Sequence, residues 1–338
     1  MTDVRTPPEV AAEASAKSRR YRLNTRYVPV LATLVLLVVM YGVGVLNYEG
    51  FSDSQIVLNI FVDNAFLLVV AVGETFVILS GGIDLSVGAV VALGSVLAAV
   101  LLRDGWPAAV VLPMVLLVGA LVGFLQGAII HFFEIQPFIA TLAGLFLARG
   151  LCYVLAPESI PIEEKVWTSA AQFRWHFGGF FLSGSALIAL TFALVAALAL
   201  AYTRFGRNVY AVGAGGQSAL LMGLPVGRTR VGVYTLSGFC SALGGVLLSF
   251  YTLSGYSRNA QGMELDAIAA VVIGGTLLTG GSGFLAGTVL GVLVLGLIQT
   301  ILTFQGTLSS WWTRIFIGAL LFAFILLQRV ITIRAKRS

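Results

Sequence analysis

Charge is scarce in this chain. Only 10% of its 338 residues are Asp, Glu, Lys or Arg, against 58% hydrophobic, and mean hydropathy is +0.98. A soluble globular domain carries about 25% charged residues, so the scarcity excludes that class and specifies an integral membrane protein. Cysteine is rarer still. Cys152 and Cys240 both lie in apolar runs, where they read as small helix-packing residues rather than a disulfide or metal pair. The only histidines, His131 and His176, are far apart in unlike contexts, so they define no metal site. None of the three lysines, Lys17, Lys165 and Lys336, follows a G-x-x-x-x-G-K-[ST] loop. The chain therefore lacks the phosphate cradle of a P-loop ATPase, and any ATP and Mg²⁺ that drive it bind another protein. With no nucleophile–base or metal constellation either, the chain is not read as an enzyme. It is expected to carry no cofactor.

Long apolar runs are what the sequence has in quantity. Period-2 alternation is largely missing and Gly and Ala are abundant, which favours close-packed helices over a β-barrel. At about 20 residues per crossing, runs at 27–46, 56–80, 85–102, 107–130, 137–155, 183–203, 231–253, 263–279, 283–303 and 311–328 predict an all-α polytopic protein with ten transmembrane helices. Residues 1–26, with Pro7, Pro8 and an Ala/Glu/Ser/Lys-rich stretch, read as a disordered tail. They do not read as a signal peptide, because the run that follows is long enough to span. Residues 27–330 form the transmembrane domain and 331–338 a basic tail. An even span count puts both termini on one side. Placing them in the cytoplasm puts fourteen of the 20 basic residues there, including Arg204, Arg207, Arg228 and Arg230, as the positive-inside bias requires. That clustering also disfavours nucleic acid as the reason for the net charge of +5.

Two Gly-Gly breaks interrupt the apolar sequence, at Ser80-Gly81-Gly82-Ile83-Asp84-Leu85-Ser86-Val87-Gly88 and at Thr279-Gly280-Gly281-Ser282-Gly283. Backbone freed by such a break must find partners in protein or in a water-lined cavity, since lipid offers none. The breaks therefore suggest a route for something polar. Their surroundings also match (Leu79, Gly88 and Val90 against Leu278, Gly287 and Val289), which suggests an internal repeat. Ionisable residues in membrane sequence raise a functional hypothesis by default: Asp63, Glu74 and Asp84 gather around the first break with Asn64, while Glu264 and Asp266 begin a later run. An acidic path repels anions and tolerates neutral polyols or cations. Capping is the alternative for Asp84, Glu264 and Asp266. Glu74 is mid-span between Gly73 and Thr75, and an internal hydrogen bond and a substrate contact are both open to it. Stripes at Gly119, Gly123 and Gly127, and at Gly283, Gly287 and Gly291, mark flat helix faces for close packing, within the chain or between subunits.

Two connections are long. Segment 156–182 mixes acidic residues with Trp167, Phe173, Trp175 and Phe177, which suggests a short helix at the membrane surface or against a partner. Segment 204–230 is rich in small residues around the apolar cluster Leu220, Leu221 and Met222, ended by Gly223. It reads as a short helix presented to a cytoplasmic partner.

Gly81-Gly82-Ile83-Asp84-Leu85-Ser86-Val87-Gly88 closely resembles the signature of ABC importer permeases of the ribose/branched-chain amino acid class. Gln136-Pro137-Phe138-Ile139-Ala140-Thr141-Leu142, Arg204 to Gly213 and Glu264 to Thr276 resemble that family's fifth span, cytoplasmic coupling segment and a later span. More narrowly, Asp63 to Leu67, Glu158 to Ile162 and Gly306 to Thr313 resemble permease subunits of galactofuranose importers. Two positions depart from the pattern. Gly215-Gly216-Gln217 stands where relatives commonly have Gly-Asn-x, and position 74 is acidic where some relatives carry Met.

The resemblance implies a permease subunit in a bacterial inner membrane, importing a monosaccharide, galactofuranose or a related sugar. Its implied partners are a second permease subunit, a cytoplasmic ABC ATPase that binds ATP and Mg²⁺, and a periplasmic sugar-binding protein. Asn64, Glu74, Asp84, Ser86 and Gln126 are the candidates near the path. Tyr210, Gly213, Gln217, Ser218 and Leu221 are those for ATPase coupling. The rival readings are an ion-coupled secondary transporter that uses Glu74 and a receptor or scaffold without flux.

Overall fold

A computed structural model describes residues 27–307 and 311–337, with side chains through 328. The expected tail 1–26 and residues 308–310 lie outside the described residues, as do the side chains of the basic tail. Seven described helices are long and apolar enough to cross a bilayer: α1 (Val28–Asn47), α5 (Ala108–Phe132), α6 (Pro137–Leu155), α8 (Gly184–Tyr202), α11 (Val226–Thr252), α13 (Leu285–Gln305) and α14 (Trp311–Arg337). The other expected spans are broken or short. Run 56–80 divides into α2 (Ser54–Asp63) and α3 (Ala65–Leu79), bent by 61°. The bend falls at Asn64, whose side-chain amide donates to Ile60 O at 2.9 Å and competes with the helical ladder. Helix α4 (Val87–Arg103) has 17 residues.

Run 263–279 is corrected most. Only α12 (Met263–Ile273), 11 residues, is helical, and at 1.5 Å per residue that covers about half of the ~30 Å hydrocarbon layer. The chain then turns at Gly274 and Gly275 and runs irregularly to Phe284.

The core is built around α3. All of its residues except Phe66 are buried, as expected of a helix apolar on every side. Helix α11 packs against α3, α4 and α5. The small-residue stripes act within the chain: Gly119, Gly123 and Gly127 lie against the backbone of α11 at Gly238, Tyr234 and Val231, while Gly287 and Gly291 lie against Gly274 and Ala270. A Cβ on Gly123 would overlap the Tyr234 carbonyl oxygen. Gly123→Ala is therefore expected to cost about 1–3 kcal/mol of overpacking, read as a lower melting temperature in detergent. Gly42→Ala, in open space, should not lower it.

The all-α expectation meets two small sheets. Segment 156–182 holds the expected short helix, α7 (Lys165–Gln172), but continues into a hairpin of β2 (Arg174–Phe177) and β3 (Phe180–Ser183). Its turn residues, Gly178 and Gly179, both have positive φ, as tight hairpins prefer. Ahead of α7, β1 (Ile160–Pro161) pairs with β4 (Ser254–Gly255). Trp167 is buried, donates to Ser249 Oγ at 3.1 Å and meets Phe250 edge-on at 5.0 Å. The cap is thus pinned to α11. At the far end of α8, about 28 Å away by helix rise, lie α9 (Arg204–Ala214) and α10 (Gly216–Leu221).

Candidate functional site

A closed polar cluster sits where the first break meets α5 and α11. Glu74, Asp84, Ser86 and Gln126 are all buried and come together. Asp84 N donates to Glu74 Oε1 at 3.2 Å, while Ser86 N and Ser86 Oγ donate to Asp84 Oδ1 at 2.9 and 2.6 Å. Asp84 thus closes an Asx turn that launches α4, close to the capping role open to it. Ser237 Oγ, on α11, donates to Asp84 Oδ2 at 2.8 Å. Gln126 Oε1 lies 3.2 Å from Ser86 Oγ. The single Ser86 hydroxyl proton is taken by Asp84, so turning the Gln126 amide to present Nε2 would satisfy both groups. Glu74 Oε2 has no hydrogen-bond partner among the described residues.

Asn64 does not join this group. It lies ten residues before Glu74, about 15 Å along α3, and packs on Gly296. Two members were missed in the sequence, Ser237 and Tyr234. Tyr234 is buried, and its hydroxyl points at Ile83 O at 3.5 Å. Their spacing of three on one apolar helix was the available signal. Tyr234 also lines a cavity of about 620 Å³ with Ser80, Gly82, Gln136, Gln217 and Arg230.

The two glycine breaks meet each other. Gly281 N donates to Leu79 O at 2.9 Å, and a Cβ on Gly280 would come within 2.8 Å of Gly81 N. Helix α9 enters the same place. A Cβ on Gly213 would overlap Leu79 O and lie 2.6 Å from Gly281 N, while Tyr210 Oη donates to Gly283 O at 2.8 Å. Of the other coupling candidates, Gln217 faces the cavity and Ser218 O accepts Met222 N at 3.0 Å. Leu221 is 90% exposed, beside Leu220 at 65% and Met222 at 69%.

Residues 56–325 match the family described as "Branched-chain amino acid transport system / permease component". The chain belongs to that family. This permease is 45% identical over 310 residues to the inner membrane ABC transporter permease protein YjfF of Escherichia coli K12, covering 91% of the chain and 94% of the relative. It is 36% identical over 335 residues to the fructose import permease protein FruG of Bifidobacterium longum, covering 95% and 96%. With the ribose import permease protein RbsC of Escherichia coli K12 it shares 34% over 304 residues, covering 89% and 94%. No solved structure matches the chain. The permease is a multi-pass inner-membrane protein.

Proposed function

We propose that the chain is one permease subunit of an ATP-driven, binding-protein-dependent importer of a monosaccharide, galactofuranose or a related sugar. The observation that carries this reading is the exposed Leu220–Leu221–Met222 cluster. It closes a short helix, α10, between segments bearing Arg204, Arg207, Arg228 and Arg230. Three large apolar side chains exposed among cations suit a protein groove better than lipid. The chain has no nucleotide loop, so a cytoplasmic ABC ATPase carrying ATP and Mg²⁺ is the fitting occupant.

Both termini and the α9–α10 end then lie in the cytoplasm, and α7 with its hairpin faces the periplasmic sugar-binding protein. A second permease subunit completes the passage. The family description names branched-chain amino acids, but FruG and RbsC are named for sugars, and that favours a sugar. The buried acids and amides of the membrane region suit a neutral polyol. Gln217, Ser218 and Leu221 belong to the ATPase-facing side; Glu74, Asp84, Ser86 and Gln126 hold the helices beside the path, with Asn64 at the α2–α3 bend.

Proteoliposomes test the reading. Vesicles holding the chain with its partner permease and ATPase should accumulate sugar only with ATP and loaded binding protein. Failure of that full set to import overturns the reading. Accumulation by the chain alone under a proton gradient, lost in Glu74→Gln, would establish the ion-coupled alternative.

A further inference from the structure

We propose that Gly213 is a positioning residue that joins α9 and both glycine breaks into one moving body. A displacement of α9 then reaches the two breaks, and through Ile83 the Asp84 cluster, in a single step. The proposal rests on the permease reading and names the place where the coupling segment takes hold of the membrane helices.

Leu79 O is the centre of the junction. It accepts from Gly281 N at 2.9 Å and lies so close to Gly213 that no side chain fits there. Gly281 leans on α9 in turn, since a Cβ on it would stand 2.8 Å from both N and Cα of Ala214. Contacts made by backbone alone have no rotamers to absorb a displacement, and close-packed interiors transmit strain.

Helix α9 is held at two further levels. Tyr210 Oη donates to Gly283 O at 2.8 Å, and the Phe205 ring stacks on Phe76 with centroids 6.1 Å apart. Beyond the first break, Tyr234 Oη points at Ile83 O at 3.5 Å, and the next residue is Asp84. By contrast, α10 stands past Gly215 with Leu221 exposed. Its inner face is seated on α9, with Ala219 buried in one cluster with Val212 and Val226, so a push on the socket face reaches α9 and the breaks.

The reconstituted importer tests this with galactofuranose-loaded binding protein. Gly213→Ala drives a methyl into Leu79 O. The variant should still co-purify with the ATPase, yet the ratio of stimulated to basal hydrolysis and the uptake rate should both fall about tenfold, the low end of an overpacking effect. Tyr210→Phe keeps the ring and removes the bond to Gly283 O, so both readouts should fall about threefold. Gly150→Ala, in open space on α6, should change neither.

Normal stimulation and uptake in an assembled Gly213→Ala importer overturns the junction. If Gly213→Ala does not assemble, normal values in Tyr210→Phe overturn it. A wild-type assembly that fails to import overturns the permease reading instead, so the two failures are told apart.

Discussion

Replacing Leu221 with Asp is expected to abolish stimulation of the partner ATPase by loaded binding protein, and sugar uptake with it, by about 100-fold. Leu221 is the most exposed of three adjacent apolar side chains at the end of α10. A carboxylate in the middle of a desolvated apolar contact loses the burial of the leucine and adds an unpaired charge. Membrane insertion should be unaffected, because the side chain touches nothing that α10 needs to fold. The helix end is closed by Gly223, at positive φ, and by Leu224 N donating to Ala219 O at 3.0 Å. The measurement is ATPase co-purification together with stimulated hydrolysis in proteoliposomes. Undiminished stimulation would remove α10 from the ATPase contact.

Asp84→Ala should be the most damaging change inside the membrane region. It strands Ser86 N and Ser237 Oγ as buried donors without acceptors and removes the acceptor of the Ser86 hydroxyl. Each stranded donor costs about 1–3 kcal/mol, so a loss of about 3 kcal/mol or more is expected. It would appear as reduced yield of folded protein and a lower melting temperature in detergent. Asp84→Asn keeps one carboxamide oxygen as acceptor and should lose less. If Ala and Asn variants melt together at the wild-type temperature, the cluster does not hold the first break to α11.

The positions of the breaks were legible because Gly-Gly in lipid-soluble sequence has few other uses. Their meeting was not. The contact runs from Leu79 O to Gly281 N, backbone to backbone across about 200 residues of chain, and leaves no side-chain pattern to read. The likeness between the two breaks pointed to a repeat, whereas what the structure displays is their packing against one another.

Span lengths failed where local chemistry outweighed average hydropathy. After Glu264 and Asp266, run 263–279 stays uncharged to its end, yet Gly274 and Gly275 end α12 at Ile273. Run 56–80 carries the polar pair Asp63 and Asn64, and the bend falls there. Within the cluster, Glu74, Asp84 and Ser86 were readable because each is polar within or beside an apolar run. Ser237 and Tyr234 offered only a spacing of three on one helix, and hydroxyls are common enough in membrane helices that such a spacing gains meaning only from what faces it. Leu221 was legible from apolar side chains stranded between arginines.

Helix α1 has a consequence for how the chain is made. Its lining comes from far downstream: Thr33 Oγ1 bonds Ile273 O, Tyr27 stacks on Phe284 at 5.0 Å, and the loop after it bonds Gln305 through Tyr48 Oη at 2.6 Å. Synthesis proceeds from the N-terminus, so the ribosome delivers the first helix more than 220 residues before the surface that receives it. Its seat on α12 and α13 is completed only after most of the membrane domain has been synthesised, so the first helix is fastened late.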